Sequence, residues 1–249
     1  MRSGYPERQV RMDRIDRPER AGCELCGLWR VCFPGLVAST AERRTSELRI
    51  RCLRVPRGKV LYRAGDMVRS LFMIRSGCVK EIDDSTASPG TVINFALPGE
   101  MLTLQSLGTV TSNTTSIAVE PSHVCVVPGN AFSQLGQDLH HVIAELIPLL
   151  AKAGMAARDV LTLIRDKGAL QRVSGFLLSI SGRLQGRGVR GRDFRLAMNR
   201  DDIANYLGLR SETVSRCFTE LARRELISVH AKRVQIRNVA GLRGVYSSA

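Results

Sequence analysis

Three cysteines stand close together, Cys23-x2-Cys26-x5-Cys32. Thiolates are ligands for zinc and for iron–sulfur clusters, and both usually take a fourth ligand. Cys52, Cys78, Cys125 and Cys217 could each supply it, and spacing alone does not choose among them. Structural zinc usually uses two close pairs, whereas this chain offers three plus one. On the residues alone, cluster, zinc and unliganded thiol all remain open. Buried structural thiol is the default for Cys52 and Cys78. Cys217, beside Arg216, could be oxidisable. Seven cysteines in a chain whose N-terminus, MRSGYPERQVRMDRIDRPER, is charged and lacks an apolar leader point to metal or redox chemistry rather than a disulfide framework. No apolar stretch is long enough to span a membrane, and the expected location is the cytoplasm.

A second constellation runs from Asn199 to Ile227, NRDDIANYLGLRSETVSRCFTELARRELI. Asn199 can cap a first helix with Asp202 at its third position, and Gly208 suits the tight turn that follows. Ser211 can cap a second helix whose buried side is Val214, Phe218, Leu221 and Leu226. The opposite face presents Glu212, Ser215 and Arg216 near the N-terminus, the end that reaches base edges in a helix-turn-helix. Arg pairs with guanine O6 and N7, Glu accepts from cytosine N4, and Ser bonds several edges, so a half-site with a G·C pair is expected. The following VHAKRVQIRN reads as a wing. Its Lys232, Arg233 and Arg237, together with Ser211, are expected at phosphates.

The elements that must position these residues differ along the chain. Residues 1–80 hold 18 Lys/Arg against 8 Asp/Glu, residues 81–151 hold no Lys or Arg and 7 acids, and residues 152–249 hold 19 basic against 8 acidic residues. A basic C-terminal block beside an acidic middle suggests a polyanion-binding end joined to a different module. From about 50 to 130, short apolar runs alternate with turn signals at Gly58, Gly65, Gly77, Pro89-Gly90, Pro98-Gly99 and Pro128-Gly129, the pattern of an antiparallel barrel or jelly roll. Beyond 130, Ile143, Ile147, Leu150, Gly154, Ala157, Leu161 and Ile164 recur at alternating spacings of four and three. This is one seam of a long helix, suited to pairing with its own copy across a two-fold axis. Gly154 and Ala157 bury little area, so that pairing is expected to be weak. Pro148 is expected to kink the helix or mark its start.

The sequence resembles the CRP/FNR regulators, and among them the fumarate-and-nitrate-reduction (FNR) branch. The resemblance runs from Cys23 to about Leu242 and is carried by DIANYLGLRSETVSR, by the cysteine pattern and by FMIRSGCVK. It implies an α+β chain: an N-terminal cyclic-nucleotide-binding-like β-roll (a jelly roll), a long dimerisation helix and a C-terminal winged helix-turn-helix. The boundaries follow as a flexible tail over 1–22, a cysteine-bearing loop plus β-roll sensor over 23–140, the dimerisation helix over 141–168 and the DNA-binding domain over 169–249. It also chooses the fourth thiol, because the 92 residues between Cys32 and Cys125 match the family's spacing. Cys23, Cys26, Cys32 and Cys125 would then hold a [4Fe–4S] cluster whose loss to oxygen dissociates the dimer. Glu212, Ser215 and Arg216 would read TTGAT-like half-sites in an inverted repeat, and RNA polymerase would be a further partner. For that partner the acidic Glu81, Asp83 and Asp84 are read as an exposed stretch of the roll.

Two departures bear on this reading. A cyclic-nucleotide pocket needs a cation for the phosphate, and residues 81–151 lack one although Pro98-Gly99-Glu100 resembles part of such a pocket. Binding of a cyclic nucleotide is therefore not expected. At Ala157, relatives often carry an acid that restrains dimerisation, so oxygen control is expected to be leakier here. Rival readings are a zinc-stabilised or small-ligand-responsive regulator without redox sensing, which metal content would separate, and an enzyme. For the enzyme, His123, His140, His141 and His230 fall in no nucleophile or metal motif.

Overall fold

The computed structural model describes residues 19–20, 23, 26–33, 35, 50–84, 90–102, 111–128, 139–188 and 191–248. The expected tail over 1–22 lies largely outside them. The chain divides into two compact units, Met1–Leu150 and Ala151–Ala249.

The first unit is built on two antiparallel sheets. One has the order β1-β2-β9-β4-β7 and the other β3-β8-β5-β6. Their strands are β1 (Glu19–Arg20), β2 (Arg51–Val55), β3 (Val60–Tyr62), β4 (Ser70–Ser76), β5 (Val79–Asp83), β6 (Thr91–Ala96), β7 (Met101–Leu102), β8 (Thr114–Ala118) and β9 (Ser122–Pro128). The expected turns at Gly58, Gly65, Gly77, Gly90 and Gly99 all have positive φ. At Gly77 the conformation is required, with φ +86° and a hypothetical Cβ 2.3 Å from Ser122 Oγ. Gly77→Ala is expected to destabilise the roll by at least about 1–3 kcal/mol from backbone strain, before the clash is added. A chemical denaturation midpoint equal to that of the parent would contradict this.

Alternation along the central strands sends side chains to two different cores. Leu53 and Val55 of β2, Phe72 and Ile74 of β4, and Val124 and Val126 of β9 join Leu61, Tyr62, Val79 and Ala118 in the roll interior. The intervening residues, Cys52, Leu71, Met73, Cys125 and Val127, point the other way and form a second apolar cluster on the sheet's outer face. A strand buried on both faces leaves no polar side to the sheet. Another element must cover the outer face, and it is here that the cysteine-bearing loop packs.

Glu81 corrects the expectation of an exposed acidic stretch. It lies in β5 on the side of Val79, 6% exposed. Its carboxyl accepts from Tyr62 Oη at 2.8 Å and from Asn94 Nδ2 at 2.8 Å. Burial raises its pKa. Asp83 is half-buried and Asp84, which accepts from Thr115 Oγ1, is exposed.

Helix α1 (Leu139–Asp166) runs through the division between the units. Pro148 stands inside it, so it does not mark the helix start. Ile143, Ile147, Leu150, Gly154 and Leu161 of the expected seam are exposed, with Ile147 at 57% and Leu161 at 70%. Ala157 and Ile164 lie in the helix, but their side chains fall outside the described residues. Among the described residues no helix is long and apolar enough to cross a membrane.

The second unit continues with α2 (Ala169–Gln185), β10 (Asp193–Arg195), α3 (Arg200–Leu207), α4 (Ser211–Arg223), β11 (Ile227–His230), β12 (Arg233–Ile236) and α5 (Val239–Ser247). The sheet order β10-β12-β11 makes the wing. Phe176 of α2 meets Tyr206 of α3 edge-on at 5.9 Å, and Arg172 Nη1 donates to Leu207 O at 3.0 Å.

Candidate metal centre and nucleic-acid interface

Successive turns carry the N-terminal thiols. Cys26 N donates to Cys23 O, Trp29 N to Cys26 O, and Cys32 N to Leu28 O, each at 2.9 Å. The segment winds tightly and puts Cys23 and Phe33 into the outer-face cluster, with Trp29 and Cys32 packed against it. Cys125 enters the same cluster from β9. Of the four sequence-predicted ligands, Cys23, Cys32 and Cys125 therefore share one apolar cluster. Cys26 is half-buried and lies within electrostatic reach of Cys32 and Arg75. Among the described residues no three His, Cys, Asp or Glu side chains close on a single ion-sized point.

Sequence reasoning missed three contributors. Cys52, read there as a structural thiol, sits directly opposite Cys125 in the β2–β9 register. The Cys125 thiol donates to the Cys52 sulfur, and this contact, with Arg75 also donating, holds Cys52 down to about 6 despite burial. The same contact and burial push Cys125 upward, since two adjacent sulfurs share one proton more readily than they carry two charges. Arg75 is the second. Partial burial pulls its pKa down, but the hydrogen bond to Cys52 and the field of Cys26 and Cys125 outweigh that. The third is the pair Leu146 and Leu149 of α1, which pack against the thiol-bearing cluster. Ile143, Ile147 and Leu150 form the adjacent, exposed stripe of the same helix.

The donor set fits an iron–sulfur cluster. Among the described residues no disulfide ties up a cysteine; three of the proposed ligands, Cys23, Cys32 and Cys125, line one apolar cluster, and Cys26 and the Arg75 guanidinium lie within electrostatic reach of its thiols. Thiolates, an apolar shell and a nearby cation are what such a cluster uses.

At the other end, the helix-turn-helix forms as its sequence dictates. The Asn199 side chain accepts from Asp202 N at 2.7 Å, and Gly208 closes α3 at φ 61°, ψ 41° in the left-handed region. Val214, Cys217, Phe218 and Leu221 are buried, whereas Glu212, Ser215 and Arg216 are exposed on the other face of α4. Arg200 lies over the Phe218 ring at 3.4 Å and ties α3 to α4. Ser211 corrects an expectation. The cap residue of α4 is Arg210, whose carbonyl accepts from Val214 N at 3.1 Å and so draws Ser211 into the first helical turn. In the wing, Arg233 is 70% exposed and pairs with both Asp193 oxygens at 2.7 and 2.6 Å. Lys232 Nζ donates to Ala197 O at 2.8 Å. Both cations therefore brace the wing as well as charging it.

Residues 171–245 match the Crp-like helix-turn-helix domain family, and residues 52–138 match the cyclic nucleotide-binding domain family. The chain is 34% identical to the transcriptional activator protein anr of Pseudomonas aeruginosa over 87% of its own length and 89% of that protein's. It is 28% identical to the fumarate nitrate reduction regulatory protein of Klebsiella oxytoca over 94% and 93% of the two chains. FixK2 from Bradyrhizobium japonicum shares the fold, with a TM-score of 0.71 at 24% identity over 80% of this chain and 98% of that one. Roll, long helix and winged helix thus follow one another as in these proteins, and the chain belongs to the CRP/FNR family of transcription regulators, within its fumarate-and-nitrate-reduction branch.

Proposed function

We propose that this chain is an oxygen-responsive regulator of anaerobic gene expression that binds DNA as a homodimer when Cys23, Cys26, Cys32 and Cys125 hold a [4Fe–4S] cluster. The relatives' names, a fumarate nitrate reduction regulator and anaerobic regulatory proteins among them, supply the physiological setting. When bound, the cluster supplies an inorganic core that oxygen destroys. The observation that carries the proposal is the single apolar cluster joining Cys23, Cys32 and Cys125 to Leu146 and Leu149 of α1. Whatever orders the cysteine loop also braces that helix. The neighbouring stripe of the same helix offers Ile143, Ile147, Leu150 and Leu161 to a second copy. A dimer places two α4 helices about 34 Å apart, one turn of DNA, over an inverted repeat.

Glu212, Ser215 and Arg216 are the base-reading residues of this proposal, on TTGAT-like half-sites. Ser211, Lys232 and Arg233 lie along the phosphates. RNA polymerase is the second macromolecular partner. Cyclic nucleotide has no place in this reading: residues 81–151 contain no cation, and the roll interior holds the buried Glu81 carboxyl.

Arg216→Ala is expected to weaken binding to an inverted-repeat duplex by about 1–3 kcal/mol and to relax discrimination at the G·C position. Unchanged preference at that base pair would remove Arg216 from base reading. The proposal as a whole is tested by titrating anaerobic protein onto the duplex before and after exposure to air. Affinity should collapse on exposure, and affinity indifferent to air would refute oxygen control.

A further inference from the structure

Cys52 and Cys125 occupy opposite positions on the antiparallel pair β2–β9, with their sulfurs in hydrogen-bond contact. Such neighbours hold their Cα atoms about 4.5–5.5 Å apart, inside the roughly 4.4–6.8 Å that a disulfide bridges. Both are free, buried and members of the same apolar cluster. Cys78 and Cys217 are placed differently: Cys78 N lies against Ser122 Oγ, and Cys217 is on the buried side of α4. The Arg75 guanidinium donates a hydrogen bond to the Cys52 sulfur.

We infer that Cys52 is a redox partner for Cys125. When Cys125 holds no metal, hydrogen peroxide closes a Cys52–Cys125 disulfide that withholds Cys125 from a cluster until a thiol reductant reopens it. The bond itself depends only on the strand register; its consequence for loading rests on the proposed cluster. In the first step the Cys52 sulfur attacks one peroxide oxygen, the O–O bond breaks, and the departing hydroxide takes a proton to become water. Cys52 is then a sulfenic acid. In the second step the Cys125 sulfur attacks the Cys52 sulfur, the S–O bond breaks, and hydroxide leaves with the Cys125 proton as a second water. Two thiols are oxidised by two electrons and one peroxide is reduced to two waters.

The sequence makes the bond readable. Trypsin releases Cys52 on the tripeptide Cys52-Leu53-Arg54, and Cys125 as the only cysteine of peptide Glu81–Lys152, because residues 81–151 contain no Lys or Arg. Full-length chain stripped of metal by a chelator is treated with stoichiometric peroxide, alkylated and digested without reduction. Linkage of these two peptides is expected, with the loss of two hydrogens. Recovery of Cys125 as an alkylated thiol, as a sulfinic acid or linked to any other cysteine would overturn the inference. Cys52→Ala, with Cys52→Ser as the alternative should alanine disturb the sheet, is expected to take up iron and sulfide to the parent's level. After peroxide it should reload without reductant, whereas the parent should reload only after reduction. Equal reductant dependence of parent and variant would overturn the gating role. If neither protein ever takes up iron and sulfide, the cluster proposal fails while the peptide map still decides the disulfide.

Discussion

Cys23→Ser protein purified without oxygen is expected to contain neither iron nor labile sulfide and to bind an inverted-repeat duplex on the order of 10³-fold more weakly, toward the non-specific range. The size of the effect follows from position. Cys23 is 7% exposed and sits in the cluster that also takes up Phe33, Cys125 and the flank of α1. A serine there offers a poor ligand for iron and leaves a hydroxyl against apolar neighbours. Loss of the ligand and loss of loop order therefore act in the same direction. Cys78→Ala is the control, since Cys78 is buried in the first unit beside Ser122 and has no part in the thiol-bearing cluster. Metal content by elemental analysis and affinity by titration read the two proteins. Tight anaerobic binding by a Cys23→Ser dimer would separate the cysteines from DNA binding and end the coupling argument.

The second large effect lies on α1. Ile147 and Leu161 expose 57% and 70% of their surface, and with Ile143 and Leu150 they make an exposed apolar stripe of the kind that marks an interaction surface. In a two-fold pairing each substitution is felt twice. Withdrawing an Ile or Leu from burial costs about 1.5–3 kcal/mol, so Ile147→Glu with Leu161→Glu should weaken the dimer by at least about 100-fold. The roll and the winged helix should stay folded, because these side chains are already exposed in the single chain. Sedimentation of the cluster-loaded protein is expected to show monomer where the parent shows dimer, and full-site DNA binding should fall with it. A variant that stays dimeric at the parent's concentration would place the interface on another surface.

The helix-turn-helix was legible because its signals are local. Asn199 and Asp202 are three residues apart, and Gly208 supplies a backbone conformation that other residues adopt at a cost. The single-residue error at Ser211 is of the kind local reasoning makes, since either Arg210 or Ser211 can precede a helix and only the Val214 hydrogen bond decides. Turn glycines located the roll for the same reason. What the sequence hid is non-local. The facing of Cys52 and Cys125 is fixed by the register of β2 and β9, strands separated in sequence by all of β3 to β8. A shift of one residue would turn either thiol into the roll. Glu81 was misread because an acid near a turn ordinarily faces water. Its partners Tyr62 and Asn94 come from β3 and β6, and a register shift in the β5–β6 pairing lies beside it. The role of Leu146 and Leu149 was hidden too, because a seam read along one stripe of α1 gives no information about what the neighbouring stripe touches.

In the proposed regulator, four thiols from a tight N-terminal loop and one central strand act together on iron. Chemical assay of iron, zinc and acid-labile sulfide in the full chain purified under strict anaerobiosis tests it most directly. About four irons and four sulfides per chain are expected, with a visible absorption that bleaches in air. Stoichiometric zinc without sulfide, or no metal at all in protein that still binds its DNA site, would contradict it.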